Sequence, residues 1–206
     1  MRIIKICLFL ASISMFSQNP LSENAESNFK SAVVRKANNI NSFSAEFIQV
    51  KHMKMMDENP QSKGRVYYKS PNMLKWEYTA PYDYQVLFKD SKLYLLENGE
   101  LSEVDLSGNK LFAQIGELIA GSLNGKILEA DKDFRINFFR INNEIKARIV
   151  PNESHLSSMF KEIWLNFDEN QLIKSVRLID PSGDYTEISM KNIEINQPIS
   201  PAVFQN

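Results

Sequence analysis

The sequence predicts an α+β protein that is mainly antiparallel β: a curved, incomplete β-barrel whose concave side is lined by alternate strand residues and plugged by helices. Apolar and polar residues alternate with period two through a succession of short segments. Turn-forming residues recur between those segments at intervals of about ten residues. Helical spacing is confined to one stretch near the N-terminus and one near the middle, and no helix-length pattern separates consecutive strands, which disfavours a parallel βαβ sheet.

The chain of 206 residues opens with Arg2 and Lys5 ahead of an apolar run over residues 6–16 that closes on Ser17. A basic start, a short apolar stretch and a small residue are the marks of a secretory signal peptide, so residues 1–17 are expected to be a leader and 18–206 one exported domain. A membrane-spanning helix needs about 20 apolar residues, and no second run approaches that length. Cys7, the single cysteine, lies inside the leader, so the exported part must hold its core together without disulfides.

A polar linker over residues 18–24 leads to Phe29, Ala32, Val33, Ala37 and Ile40, spaced as one face of an amphipathic helix that Asn38 and Asn39 bring to an end. From Phe43 the period changes to two: Phe43, Ala45 and Phe47 alternate with Ser44, Glu46 and Ile48, and the strand continues toward Met53. Asp57, Glu58, Asn59 and Pro60 turn the chain, and Gly64 opens a strand in which Val66 and Tyr68 share a face. After Ser70, Pro71 and Asn72, the residues Leu74, Trp76 and Tyr78 line one face of the next strand against Met73, Lys75 and Glu77. Pro81 closes it, Val86 and Phe88 mark another strand, Leu93 and Leu95 the one after, and Asn98 with Gly99 forms a tight hairpin turn.

Leu111, Phe112, Ile115, Leu118, Ile119 and Leu123 then fall at helical spacing between Gly108 and the breakers Asn124 and Gly125, which predicts one or two short amphipathic helices. Strands return at residues 134–141, 144–150, 161–167, 172–180 and 185–195, with turns at Asn142 and Asn143, at 168–170 and at 181–184. Pro198 and Pro201 end the regular structure.

So many strands in one antiparallel meander will twist and curl, and the apolar face must be covered by the helical segments. Phe47, Val66, Tyr68, Leu74, Trp76, Tyr78, Val86 and Phe88 are the candidate wall of the hollow. Their period is equally that of an ordinary sheet core. The bulk of Phe, Tyr and Trp on the strands, against Ala, Ile and Leu on the helices, favours a cavity.

Several function classes lack their residues here. The net charge is −1, with lysine and arginine scattered among acids, so nothing marks a nucleic-acid surface. The histidines are His52 and His155, far apart and outside any zinc-binding spacing, and His52 is expected to be solvated. No G-x-S-x-G elbow or glycine-rich phosphate loop occurs. Glu97 with Glu100 and Asp131 with Asp133 fall in predicted turns, and the Pro-Ser-Gly-Asp run at 181–184 suits a β-turn. Met53, Met55 and Met56 suit either an adaptable binding surface or a hairpin tip. The reading is of a monomeric binding protein with no catalytic residue, metal or cofactor.

The segments "SFSAEFIQ", "GRVYYKSPNMLKWEY" and "PYDYQVLFKDSKLYLLE" resemble the N-terminal half of LolA-type outer-membrane lipoprotein carriers, with residues 42–96 carrying the motif-grade likeness. The helix before Phe43 and the helical segment after Asn109 stand where that family keeps its N-terminal helix and its lid, and "GDYTEISMKNIEIN" is similar to divergent LolA-like relatives. The resemblance implies a periplasmic carrier whose helical lid covers a hydrophobic cavity holding the acyl chains of a lipoprotein or related lipid. The cargo would come from an inner-membrane exporter and pass to an outer-membrane receptor. Leu74 and Trp76 would line the cavity, and residues 111–119, with Leu111, Phe112, Ile115, Leu118 and Ile119, would form the lid. A periplasmic sensor that binds lipid or lipoprotein without transporting it, or a factor for export of another lipid, would also fit the resemblance.

Overall fold

The computed structural model describes residues 19–71, 73–105, 126–129, 132–152 and 154–205. The expected leader at 1–17, and the helical spacing at Leu111, Phe112, Ile115, Leu118 and Ile119, lie outside the described residues.

Helix α1 spans Glu23–Ala37, with Glu23 and Glu26 in its first turn and Arg35 and Lys36 in its last, so side-chain charge opposes the helix dipole at both ends. The asparagines stop it as expected: the Asn38 N–H donates to Val34 O, and Asn39 Nδ2 donates to Arg35 O at 2.8 Å. Val33, Ala37 and the following Ile40 are buried.

The strands are β1 (Asn19–Pro20), β2 (Ser42–His52), β3 (Gln61–Lys69), β4 (Met73–Ala80), β5 (Tyr84–Lys89), β6 (Lys92–Glu97), β7 (Glu100–Asp105), β8 (Phe134–Ile141), β9 (Glu144–Pro151), β10 (Glu162–Phe167), β11 (Ile173–Ile179) and β12 (Tyr185–Ile195). They form one 12-stranded sheet in the order β1-β8-β9-β10-β11-β12-β2-β3-β4-β5-β6-β7, antiparallel at every junction. Two meanders, β2 to β7 and β8 to β12, thus join where β12 pairs with β2, and the sheet does not close on itself.

Local chemistry sets the turns. Asp90 and Ser91, Asn98 and Gly99, and Asn142 and Asn143 are consecutive pairs with positive φ, the backbone that two-residue hairpins require. In the β11–β12 turn, Asp180 Oδ1 accepts from Ser182 Oγ at 2.6 Å, Gly183 N at 2.9 Å and Asp184 N at 3.1 Å. These hydrogen bonds, Ser182 foremost, hold the Asp180 carboxyl below its usual range and explain the 181–184 run as a turn. At the other end of β12, Asn196 Oδ1 accepts from Asn41 N at 2.7 Å and Asn196 Nδ2 donates to Asn39 O at 2.8 Å, fastening the α1–β2 loop to the sheet.

Three features depart from the sequence reading. Asn19 and Pro20, read as linker, pair with Arg140 and Phe139 at the sheet edge, where proline's missing N–H is tolerated. Pro201 does not end regular structure: Pro201–Phe204 is a 3-10 turn in which Phe204 is buried, and Gln205 lies beside Lys75 and Leu87 on the convex side. His52 is half-buried rather than solvated, because its ring stacks on Tyr185 at 4.2 Å.

The core lies on the concave side under α1. The Phe29 ring meets Phe138 at 5.7 Å and Phe167 at 5.1 Å, both edge-on, and the 3-10 turn Lys126–Glu129 adds buried Ile127 and Leu128. Gly64 permits a tight approach elsewhere on the same face: a Cβ there would sit 1.9 Å from Glu77 O and 2.8 Å from the Phe47 ring. Gly64→Ala is therefore expected to destabilise the fold by about 1–3 kcal/mol. Urea unfolding would measure this, and an unchanged midpoint would contradict the close packing.

Candidate functional site

Register places the candidate wall residues on a single face. One transverse row runs Phe43, Tyr68, Leu74, Phe88, Leu93 and Val104. The next runs Ala45, Val66, Trp76, Val86, Leu95 and Ser102, and a third runs Phe47, Gly64, Tyr78, Tyr84, Glu97 and Glu100. Phe47, Val66, Tyr68, Leu74, Trp76, Tyr78, Val86 and Phe88 all belong to these rows, so period two brought together residues from four strands.

Burial divides them. Phe47, Val66, Tyr68 and Leu74 are 1, 0, 4 and 3% exposed, already packed by the protein's own atoms. Trp76, Tyr78, Val86 and Phe88, on β4 and β5, are half-buried, although Leu74 beside them and Leu93 on β6 are buried. The partly open apolar wall is thus centred on β4, β5 and β6, where Tyr84 and Leu95 are also half-buried. Both were within reach of the sequence argument: Tyr84 lies two residues before Val86, and Leu95 two after Leu93. Beyond Tyr84 the row ends in exposed Glu97 and Glu100, a cross-strand pair at a hairpin turn rather than two carboxylates facing across a cleft.

The wall is aromatic at its centre. Phe47 lies 4.4 Å from the Trp76 ring and 5.2 Å from that of Tyr78, and Tyr78 lies 6.0 Å from Tyr84. Few polar atoms interrupt it. The Tyr78 hydroxyl donates to Gln49 Oε1 at 3.0 Å. The Trp76 Nε1 is shielded from solvent and approaches Tyr78, but makes no hydrogen bond of ordinary geometry. Burial holds the Tyr78 phenol above its usual value, against the lowering influence of Trp76 and Gln49; burial also raises Tyr84, with the Glu97 charge adding to it.

A hollow of about 510 Å³ lies by α1 and is lined by Phe29, Ile145 and Phe167 together with charged Arg140, Glu144, Asp168, Glu169 and Lys174. Its mixed charges set it apart from the apolar wall. The methionines stand elsewhere: Met55 is 99% exposed in the connection from β2 to β3, as a hairpin tip would be. Among the described residues, no group of three or more His, Cys, Asp or Glu is placed to hold a metal ion.

Comparison with known proteins bears on the family and the fold. The family model for "Outer membrane lipoprotein carrier protein LolA" matches residues 38–206. An outer-membrane lipoprotein carrier protein of Chromohalobacter salexigens is 23% identical over 189 residues, covering 90% of this chain and 85% of its own. Another, from Hahella chejuensis, is 22% identical over 166 residues, covering 81% of this chain and 78% of its own. Among solved structures, MucB matches with a TM-score of 0.53 at 10% identity, covering 90% of this chain and 64% of that chain, a likeness of fold alone.

The raised phenols have a consequence for stability. Both favour the protonated form in the folded state, so stability is complete below a pH of about 10 and falls as pH rises from there through the raised values. Unfolding midpoints measured from about pH 8 to about pH 11.5 should decline less steeply in a Tyr78→Phe, Tyr84→Phe double variant than in the parent. Identical slopes would contradict the burial of these hydroxyls.

Proposed function

The chain belongs to the LolA family of outer membrane lipoprotein carrier proteins, and from that premise we propose that it holds the acyl chains of a lipoprotein, or of a related lipid, against the wall formed by β4, β5 and β6. The family's carriers bind their cargo and do not catalyse a reaction on it. In this reading residues 1–17 direct export of the domain at 18–206 to the periplasm, where it loads from an inner-membrane exporter and unloads at an outer-membrane receptor.

The observation that carries the proposal is the uneven cover of the concave face. Phe29 of α1 packs on Phe138 and Phe167 at one side, whereas Trp76, Val86, Phe88 and Leu95 form a continuous apolar stretch that stays half-buried at the other. Hydrocarbon laid on that stretch completes the burial. Leu111, Phe112, Ile115, Leu118 and Ile119, by their sequence spacing, are the proposed cover that the cargo displaces.

Magnitude favours an incomplete container. Enclosing hydrocarbon gains about 0.8 kcal/mol per methylene, or about 13 kcal/mol for one 16-carbon chain. Full enclosure of three such chains would pass the ceiling of about 18–21 kcal/mol on non-covalent affinity, and release would cease. A wall that covers part of each chain retains cargo in water and surrenders it to a receptor.

Val86→Glu places a carboxylate in the middle of the wall, whereas Gln85→Glu places one on the opposite face of the same strand. The first is expected to reduce transfer of an acylated lipoprotein between inner- and outer-membrane vesicles by at least about tenfold, since a charge facing hydrocarbon costs well over 1 kcal/mol. The second should leave transfer near that of the parent, with circular dichroism confirming that both are folded. Equal transfer by both variants would overturn the assignment of the wall. Cargo binding without delivery would instead identify a binding module that does not transport.

A further inference from the structure

The two tryptophans of this chain are treated differently by their surroundings. Trp164, on the convex face, donates its Nε1 hydrogen to Glu162 Oε1 at 3.0 Å. Trp76, on the concave face, keeps its Nε1 away from solvent with no acceptor. An indole N–H is a donor only, and leaving it buried and unmatched is costly enough that folded proteins rarely do so without a compensating role. Its neighbours leave it without a bond of ordinary geometry: the Phe47 ring lies 4.4 Å away, Val66 and Val86 flank Trp76 in register, and the Tyr78 hydroxyl, which gives its hydrogen to Gln49 and could accept through its oxygen, approaches the indole without closing such a bond. The donor therefore sits in a mainly apolar wall whose one nearby acceptor, the Tyr78 oxygen, is not placed to bond it in ordinary geometry.

We propose that the Trp76 Nε1–H is the recognition point for an acyl carbonyl of the bound lipid, the one acceptor that a fatty chain brings at its linkage to the headgroup. This rests on the carrier reading and extends it from hydrocarbon burial to selection of acyl-linked over purely alkyl-linked lipids. A saturated chain offers nothing to the indole. An ester or amide carbonyl that moves aside the groups shielding the Nε1 turns the unmatched donor into a hydrogen bond and fixes how deep the chain lies along the wall. Methylene burial alone does not fix that depth, because it changes smoothly as a chain slides. Gln49 takes the Tyr78 hydrogen through its Oε1, so a ligand carbonyl competes for the indole with the Tyr78 oxygen alone.

The test compares dipalmitoylglycerol with dihexadecylglycerol, which carry chains of equal carbon number joined by ester and ether linkages. The parent protein should bind the ester about 5–10-fold more tightly, the worth of one hydrogen bond in a shielded site. Trp76→Phe should bind both lipids with no more than about a twofold difference, since it keeps the apolar ring and removes the donor. In the ¹⁵N-labelled parent, the indole resonance of Trp76 should move to lower field with the ester and not with the ether, while that of Trp164 stays in place. This second measurement needs no substitution to fold.

Equal affinity of the parent for the two lipids, an ester preference that survives in Trp76→Phe, or an indole resonance that ignores the ester would each overturn the carbonyl assignment while leaving the carrier reading intact. Failure of the parent to bind either lipid, together with failure to bind an acylated lipoprotein, would overturn both.

Discussion

The placement of Phe47 opposite Gly64 on one side and Met190 on the other is the constraint from which the rest of the architecture follows. β2 lies where the two meanders meet, and its register decides which residues of β3, β4, β5 and β6 look inward. Slipping it by one residue would turn Phe43, Ala45 and Phe47 outward and bring Ser44, Glu46 and Ile48 into the core. Packing and hydrogen bonding both oppose that slip. The Phe47 ring occupies space that only a glycine at position 64 leaves open, and the Asn196 side chain ties the start of β2 to the end of β12.

From this seam the concave face develops in two directions with different outcomes. Toward β8 it is filled by the chain itself: α1 brings Phe29 down on Phe138 and Phe167, and Leu128 and Phe160 are buried in the same cluster. Toward β6 the inward row remains apolar while burial weakens, from Val66 at 0% exposure to half-buried Trp76, Val86 and Leu95. The filled core and the proposed binding surface thus occupy different parts of one sheet. The filled side buries its aromatic side chains, and the other side leaves apolar area partly uncovered. The convex face is closed by other means, with Arg177 paired to Glu187 and lying over the Tyr185 ring, and Arg148 paired to Glu162.

Much of this was legible in the sequence because strand residues announce their face by parity. The alternation at Leu74, Trp76 and Tyr78, and again at Val86 and Phe88, placed the wall residues on one face before any pairing was known, and the asparagine turns located the hairpins. Elements without that parity were missed. In β7 the apolar residues Leu101 and Val104 fall on opposite faces amid acids, and β1 is a two-residue edge strand containing a proline. Phe204 and Leu87 are buried on the convex side, contrary to the expectation that apolar residues point into the hollow, because the C-terminal turn covers that patch. The pairing of β12 with β2 joins residues far apart in sequence, which no local pattern encodes. The missing acceptor of Trp76 is likewise a property of the folded surroundings, since Trp164 carries the same group and has a partner.

The central claim is that lipid chains lie against the inward face of β4 and not elsewhere on the molecule. Fluorescence quenching by a lipid brominated along its acyl chain tests it most directly, because bromine quenches only on contact and the two tryptophans lie on opposite faces of the sheet. In a Trp164→Phe background the emission of Trp76 should fall in proportion to bound lipid, and in a Trp76→Phe background the emission of Trp164 should not change. Quenching of Trp164 with Trp76 unaffected, at saturating lipid, would place the chains on the other side of the sheet and contradict the account.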